Sequence, residues 1–102
     1  MTRGEVWWAD IPRVGRRPVL LLTRDTALAL LSGVVVAELT TQIRGIPTEV
    51  ALDHEDGMPR SSVVSFDNIH TISKRCFLSR ITQLSSAKLE EVCEALRYAV
   101  AC

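Results

Sequence analysis

Four side chains that form hydrogen bonds lie close together in the segment "AELTTQIRGIPTEV" (37–50). Thr40, Thr41, Gln42 and Arg44 stand between an apolar run and a second strand-like stretch. Loops between strands are usually short and rich in turn-forming residues, and none of these four is a turn former. Their shared chemistry is hydrogen bonding, so the segment is a candidate binding loop.

Arginines are concentrated near the start of the chain. Residues 1–44 carry six Arg and four acidic residues, residues 45–72 carry one Arg and five acids, and residues 73–102 carry five basic residues and three acids. Four of these arginines crowd one early region: Arg13, Arg16, Arg17 and Arg24. The net charge of zero argues against nucleic-acid binding through bulk charge. A solvated face of mixed charge remains the alternative explanation.

Several kinds of site are not indicated. The sequence contains no glycine-rich phosphate loop, no nucleophile elbow and no Cys/His metal cluster. His54 and His70 lie in different segments, and Glu55 and Asp56 lie in a turn rich in Gly and Pro. A conventional acid–base enzyme is therefore poorly supported. We predict neither a metal site nor a cofactor.

The candidate residues must be positioned by a mainly β domain. Six or seven short strands are predicted between about residues 4 and 82; they include a doubly buried strand at "RPVLLLTR" and two separate strands, "SVVSF" and "HTISK", around "DN". "DTALALLSG" predicts one or two helical turns closed by Gly33. In the adjacent pair Trp7 and Trp8, at most one ring can face the core, which leaves the other for the surface or an interface.

The last part of the chain predicts an amphipathic helix over about 86–101. Ser85 or Ser86 is its expected N-cap. Its apolar side recurs at helical spacing, through Leu89, Val92, Cys93, Leu96 and Val100. Strands followed by one such helix predict a single domain, residues 1–102, folded as a small, strongly bent β-barrel with the helix packed on it.

Length and composition give the cellular setting. The longest apolar stretch, "ALALLSGVVVAEL", is shorter than the about 20 residues of a membrane span, and the N-terminus has no signal pattern. Cys76, Cys93 and Cys102 are an odd number without metal spacing, as expected of reduced thiols. The sequence predicts a cytoplasmic protein without a membrane segment.

Three ordered segments resemble a known family. "RGEVWWADIP" leading to "RRPVLLLT", then "AELTTQIRGIPTEV", then "SVVSFDNIHTISK" are similar to the MazF/PemK toxin endoribonucleases, and the C-terminal "LSSAKLEEVCEALRYAV" extends the similarity. The resemblance implies the SH3-like barrel of MazF/CcdB-like plasmid maintenance toxins. It also implies a homodimer that cuts single-stranded RNA at short sequences and is restrained by a cognate antitoxin. We expect that antitoxin to bind through a disordered acidic tail.

The family's catalytic motifs fall on two residues. Its Arg-Pro arginine corresponds to Arg17 and its loop threonine to Thr40. RNA supplies its own nucleophile, the 2′-hydroxyl, so the protein must orient the phosphate and stabilise its growing charge. A guanidinium holds two oxygens at once and a threonine hydroxyl adds one hydrogen bond, but neither identifies the group that removes the 2′-hydroxyl proton. The alternatives are that Arg17 pairs with Asp10 or Glu38, and that Thr40 is simply a strand end.

Further residues are candidates for contact with RNA bases or phosphates. They are Arg13, Arg16, Thr41, Gln42, Arg44, Asn68 and His70. Asn68 and His70 stand where many family members carry a glutamine and a basic residue, so the base preference need not follow any relative.

Two other functions remain open. Gyrase-poisoning toxins share the fold without catalysing a reaction, but they end in a Trp-Gly-Ile tail, whereas this helix ends in "YAVAC". A barrel that binds RNA or protein without cutting is the other possibility, and the presence of Arg17 and Thr40 argues against it.

Overall fold

Six strands and two helices make up the part of the chain that the computed structural model describes, residues 1–101. In chain order they are β1 (Glu5–Ile11), β2 (Gly15–Leu21), α1 (Asp25–Leu28), β3 (Gly33–Thr40), β4 (Glu49–Leu52), β5 (Ser62–Ser73), β6 (Phe77–Gln83) and α2 (Ser86–Val100). Single 3-10 turns lie at His54–Asp56 and Lys74–Cys76. The prediction of a mainly β fold with a C-terminal helix is confirmed. Neither helix has the length and hydropathy that crossing a membrane requires.

All the strands belong to one antiparallel sheet in the order β4-β5-β3-β2-β1-β6. Register shifts between Val6 and Trp7, between Trp8 and Ala9, and between Ala37 and Glu38 interrupt the ladders. Irregularities of this kind bend strands and increase their local twist, which favours the strongly bent sheet that the sequence predicts.

The sheet is buried on both faces. Leu20 of β2 joins one apolar cluster, which is covered by α2. Val19 and Leu21 join a second cluster on the other face, together with Leu28 of α1. None of the three β2 side chains is exposed, which confirms the doubly buried strand predicted from its continuous apolar run.

Helix α2 closes the first cluster. The Ser85 side chain accepts a hydrogen bond from the Lys88 N–H and caps the helix, which makes Ser85 the cap and leaves Ser86, the other predicted candidate, as the first helical residue. Val92 and Ala95 are buried against the sheet, and Leu89 and Leu96 pack beside them. Cys93 and Cys76 are half-buried free thiols, while Cys102, also predicted to be reduced, lies outside the described residues.

The two strands predicted around "DN" are one continuous strand, β5, so that prediction was wrong. Ala37 of β3 pairs with Ile69, whereas the next β3 residue, Glu38, pairs with Ser65. Residues 66–68 of β5 therefore have no paired residue on β3, although the ladder continues on both sides of them. The polar pair that looks like a turn in sequence is accommodated as a bulge, and the Thr48 hydroxyl donates to Asp67 Oδ2 at 2.6 Å.

Glu5 anchors the outer side of β1. Its Oε1 accepts hydrogen bonds from the Trp7 indole at 2.9 Å and from the Thr2 N–H at 3.1 Å, and its Oε2 lies 3.2 Å from Arg80 Nε. Burial by itself raises the pKa of Glu5, but these hydrogen bonds and the positive charges of the N-terminus and Arg80 lower the pKa overall.

Candidate functional site

The candidate site forms where β2 and β3 stop pairing. Their ladder runs from Leu21–Val36 to Val19–Glu38 and ends there. The next residue of β2 is Pro18, which has no N–H to donate to a neighbouring strand. Arg17 of β2 and Thr40 of β3 lie just beyond the last paired residues, Val19 and Glu38, and both line the same two cavities. The fold thus brings together the two residues to which the family resemblance assigns the chemistry.

A cavity of about 580 Å³ opens beside this end of the sheet. Its walls combine one indole ring, several apolar side chains, three guanidinium groups and hydroxyl groups. The lining residues are Trp8, Arg16, Arg17, Pro18, Leu39, Thr40, Thr41, Met58, Pro59, Arg60 and Ser62. We call it the large cavity. Apolar walls with a few charged groups suit a ligand that is partly aromatic and partly anionic.

A second cavity of about 150 Å³ adjoins the first. Its lining is more polar than that of the large cavity and includes two carboxylates: Arg17, Glu38, Leu39, Thr40, Gln42, Arg44, Glu49, Ser65 and Asn68. We call it the small cavity. Arg17, Leu39 and Thr40 line both cavities, so a group held by Arg17 and Thr40 would lie at their boundary.

The Arg17 guanidinium is half exposed and only partly engaged. Its Nη1 donates to the Arg16 carbonyl at 2.8 Å, and its Nε lies 3.9 Å from Glu38 Oε1. The pairing with Glu38 that was weighed against a catalytic role is therefore present, but the distance is too long for a hydrogen bond. Since 47% of the Arg17 side chain is exposed, its guanidinium remains accessible to an anion.

The loop that follows β3 is held at both ends through its backbone. Thr40 Oγ1 accepts the N–H of Gln42 at 3.1 Å. Glu49 Oε1 accepts the N–H groups of Arg44 at 3.0 Å and of Gly45 at 2.9 Å. Because the backbone is fixed by these bonds, the exposed side chains of Thr41, Gln42 and Arg44 are presented in a defined place.

Comparison with known proteins identifies the family. Residues 2–100 match the sequence profile of the PemK-like, MazF-like toxins of type II toxin-antitoxin systems. The chain belongs to this family. It is 47% identical over 103 residues to the probable endoribonuclease MazF2 of Mycobacterium tuberculosis, with 100% of both chains covered.

Solved structures of the family have the same fold. The Mycobacterium tuberculosis toxin MazF-mt6 matches with a TM-score of 0.88 at 35% identity, covering 95% of this chain and 96% of that one. A mycobacterial endoribonuclease in complex with its cognate antitoxin matches with a TM-score of 0.90 at 29% identity, covering 99% of this chain and 95% of that one.

In this PemK/MazF-like toxin, the sequence-predicted contact residues divide into two groups. Arg16 and Thr41 line the large cavity, and Gln42, Arg44 and Asn68 line the small one. Arg13 and His70 line neither. Arg13 is exposed in the β1–β2 turn at φ 69°, and His70 Nε2 lies 2.5 Å from Glu38 Oε2. The fold therefore does not bring Arg13 and His70 to the cavity walls.

Other wall residues of the toxin were not predicted. Trp8 is 38% exposed and lines the large cavity. Trp7 is partly buried and packs edge-on against Phe77 beside the second apolar cluster, with ring centroids 6.0 Å apart. The alternation of the two tryptophans had indicated that one ring would be free. Arg60 and Ser62 reach the same cavity from a distant part of the chain, and no local sequence signal marks them.

Proposed function

We propose that this protein is an endoribonuclease toxin that cleaves single-stranded RNA at short specific sequences. The observation that carries the proposal is the meeting of Arg17 and Thr40 at the boundary of the two cavities. The naming of the M. tuberculosis relative as a probable endoribonuclease supports it. The family comparisons give no support to the gyrase-poisoning alternative.

The proposed chemistry needs an RNA strand whose scissile phosphate lies between Arg17 and Thr40. The neighbouring 2′-hydroxyl attacks the phosphorus, the bond to the 5′-oxygen breaks, and a 2′,3′-cyclic phosphate remains. Arg17 holds two phosphate oxygens through its planar fork and stabilises the charge that grows on them, while the Thr40 hydroxyl donates one further hydrogen bond. Because the nucleophile belongs to the RNA, we expect cleavage without a metal cofactor.

The large cavity suits the nucleotide next to that phosphate. The exposed ring of Trp8 offers a stacking surface for a base, and Met58, Pro18 and Pro59 supply apolar contact. Arg16 and Arg60 add positive charge for neighbouring phosphates. Sequence specificity requires hydrogen bonds to the edges of the bases. We propose that the side chains of the loop after β3 and of Asn68 make these hydrogen bonds.

We propose two protein partners, an antitoxin and a second copy of this chain. A mycobacterial structural neighbour was solved in complex with its cognate antitoxin. We expect an antitoxin here too, with a disordered acidic tail that covers Arg17 and the loop after β3. We also propose a homodimer in the cytoplasm, because so small a domain buries additional apolar surface by pairing.

The experiment is cleavage of total RNA by the purified protein, followed by mapping of the new ends. We expect cuts at one short sequence, cyclic-phosphate ends, and full activity in EDTA. An RNA with a single 2′-deoxy nucleotide before the scissile phosphate should resist cleavage. Loss of activity in EDTA with recovery on adding magnesium, or cleavage of the 2′-deoxy substrate, would contradict the mechanism.

A further inference from the structure

The proposed reaction needs a group that accepts the proton of the 2′-hydroxyl, and neither Arg17 nor Thr40 is suited to this. An arginine side chain remains protonated in water and has no acceptor atom. The Thr40 oxygen already accepts the Gln42 N–H, and a neutral hydroxyl is a weak base. The proton acceptor must therefore be another group within reach of the phosphate.

Two carboxylates line the small cavity, and they differ in what already occupies their oxygens. Glu49 uses Oε1 to accept two backbone N–H groups and so holds the loop. Glu38 uses only Oε2, which faces His70 Nε2 at 2.5 Å. Its Oε1 accepts no hydrogen bond from residues 1–101 and lies 3.9 Å from Arg17 Nε. Glu38 therefore presents an unoccupied carboxylate oxygen beside the residue that holds the phosphate.

Strand geometry places Glu38 in the same cavity wall as Thr40. Glu38 and Thr40 are two residues apart on β3, so their side chains leave the same face of the strand. Both line the small cavity with Arg17, and only Glu38 of the three does not reach the large cavity. If the nucleobase on one side of the scissile phosphate occupies the large cavity, the ribose on the other side of that phosphate occupies the small cavity. This ribose then lies next to Glu38.

We infer, on the basis of the proposed function, that Glu38 is the general base of the reaction and that His70 positions it. Glu38 Oε1 takes the proton from the 2′-hydroxyl as the bond from the 2′-oxygen to phosphorus forms. The bond from phosphorus to the 5′-oxygen breaks, and that oxygen leaves with a proton from water. Glu38 then returns its proton to solvent, so the protein is unchanged after each cycle.

His70 acts through Glu38 and not on the RNA. Its ring nitrogen holds Oε2 and thereby directs Oε1 towards Arg17. The side chain of Glu38 is 17% exposed and that of His70 is 29% exposed, so the pair is partly shielded from water. The other charged groups of the small cavity are Arg17 from β2, Arg44 from the loop and Glu49 from β4.

The test is Glu38→Gln, which keeps the shape of the side chain and removes the base. Single-turnover cleavage of a mapped RNA should slow by roughly a hundredfold or more. The wild-type rate should fall at acidic pH, and this dependence should be absent from Glu38→Gln. Binding of the 2′-deoxy analogue should be unchanged or tighter, because a negative charge near the phosphate is lost. Glu91→Gln, on exposed α2 surface away from both cavities, is the matched control and should cleave normally.

A second pair of variants tests the positioning role. His70→Ala should slow cleavage without weakening binding of the analogue, and His70→Gln, which restores an N–H donor, should recover part of the rate. Glu38→Asp should cleave at an intermediate rate and keep the acidic limb of the pH profile, even if Glu38→Gln does not fold.

Three results would overturn the inference. Cleavage by Glu38→Gln at the wild-type rate or faster would mean that Glu38 only competes with the phosphate for Arg17. Equal losses of cleavage and analogue binding, with an unchanged pH profile, would mean a structural role. A Glu38→Asp variant without the acidic limb would also refute it. Absence of RNA cleavage by the wild-type protein would instead refute the proposed function.

Discussion

Replacing Arg17 with lysine separates the charge of this side chain from its geometry. Lysine keeps the positive charge but has no planar fork, so it cannot hold two phosphate oxygens in parallel. Removal of one preorganised donor to a transition state slows an enzyme by roughly a hundredfold to a thousandfold, or about 3–4 kcal/mol. We expect a loss of that size in the single-turnover rate of Arg17→Lys, with RNA binding weakened but retained.

The structure predicts a much smaller effect on stability. Within residues 1–101, the polar contacts of the Arg17 side chain are the hydrogen bond to the Arg16 carbonyl and the loose ion pair with Glu38. Since 47% of the side chain is exposed, the ion pair contributes about 0–1 kcal/mol. The free energy of unfolding should therefore change by less than about 1 kcal/mol, which shifts the Tm of a domain of this size by no more than about 4–8 °C.

The assay combines single-turnover cleavage of a mapped substrate with thermal melts. Arg97→Lys, on the last turn of α2, is the matched control and should alter neither quantity. If Arg17→Lys cleaves at the wild-type rate, the bidentate role is wrong. If it melts far below wild type, Arg17 supports the fold and the loss of rate has a structural cause.

Three further predictions concern the loop, a turn and the first strand. Thr40→Val should slow single-turnover cleavage by ~10-fold to 100-fold. It should also leave the Gln42 N–H without its acceptor, because the Thr40 hydroxyl is lost. Thr40→Ser keeps the hydroxyl and should keep most of the rate. Gly57 has φ +88°, and a Cβ there would also overlap the Thr82 hydroxyl, so Gly57→Ala should lower the free energy of unfolding in urea by about 2–5 kcal/mol. Gly45 has φ +70° with nothing within 4 Å of a Cβ, so Gly45→Ala should cost only the backbone strain of about 1–2 kcal/mol. Equal costs for the two variants would refute the overlap. Glu5→Gln should be less stable than wild type by about 1 kcal/mol at pH 7. Because folding lowers the pKa of Glu5, the stabilisation by its carboxylate is complete above the usual pKa of 4.5 and is lost as the pH falls through the lower folded pKa. Urea unfolding curves of wild type and Glu5→Gln should therefore converge in acid. A stability difference that stays constant with pH would contradict this prediction.

For the loop after β3, the sequence predicted that the segment is a candidate site but did not predict the contacts that hold it. Its hydrogen-bonding residues are unusual in a connection between strands, so composition alone marks the segment as a candidate binding loop. Two side chains hold its backbone: Thr40 accepts the Gln42 N–H, and Glu49 accepts the N–H groups of Arg44 and Gly45. Glu49 belongs to β4, which is held in place by pairing with β5. Composition marks the segment, whereas the path of its backbone decides which N–H groups these two side chains accept.

The split of β5 was predicted wrongly for a related reason. Asp67 and Asn68 have low strand propensity and read as a turn. In the fold, the bulge opposite Glu38 accommodates them within one strand, and Thr48 provides a hydrogen bond for Asp67. Long-range pairing thus outweighed the local preference.

Periodicity and local chemistry in the sequence were sufficient to determine the strand-rich body, the doubly buried β2 and the C-terminal helix with a serine cap at 85 or 86, because each depends on neighbours within a few residues. The family motifs likewise pointed to Arg17 and Thr40. Only the tertiary structure could place Trp8, Arg60 and Ser62 around one cavity, and Glu38 between Arg17 and His70. These groups come from β1, β2, β3, β5 and the segment before β5, and so from distant parts of the sequence. Their proximity is created by strand register and by the end of the β2–β3 ladder before Pro18, which no local pattern encodes.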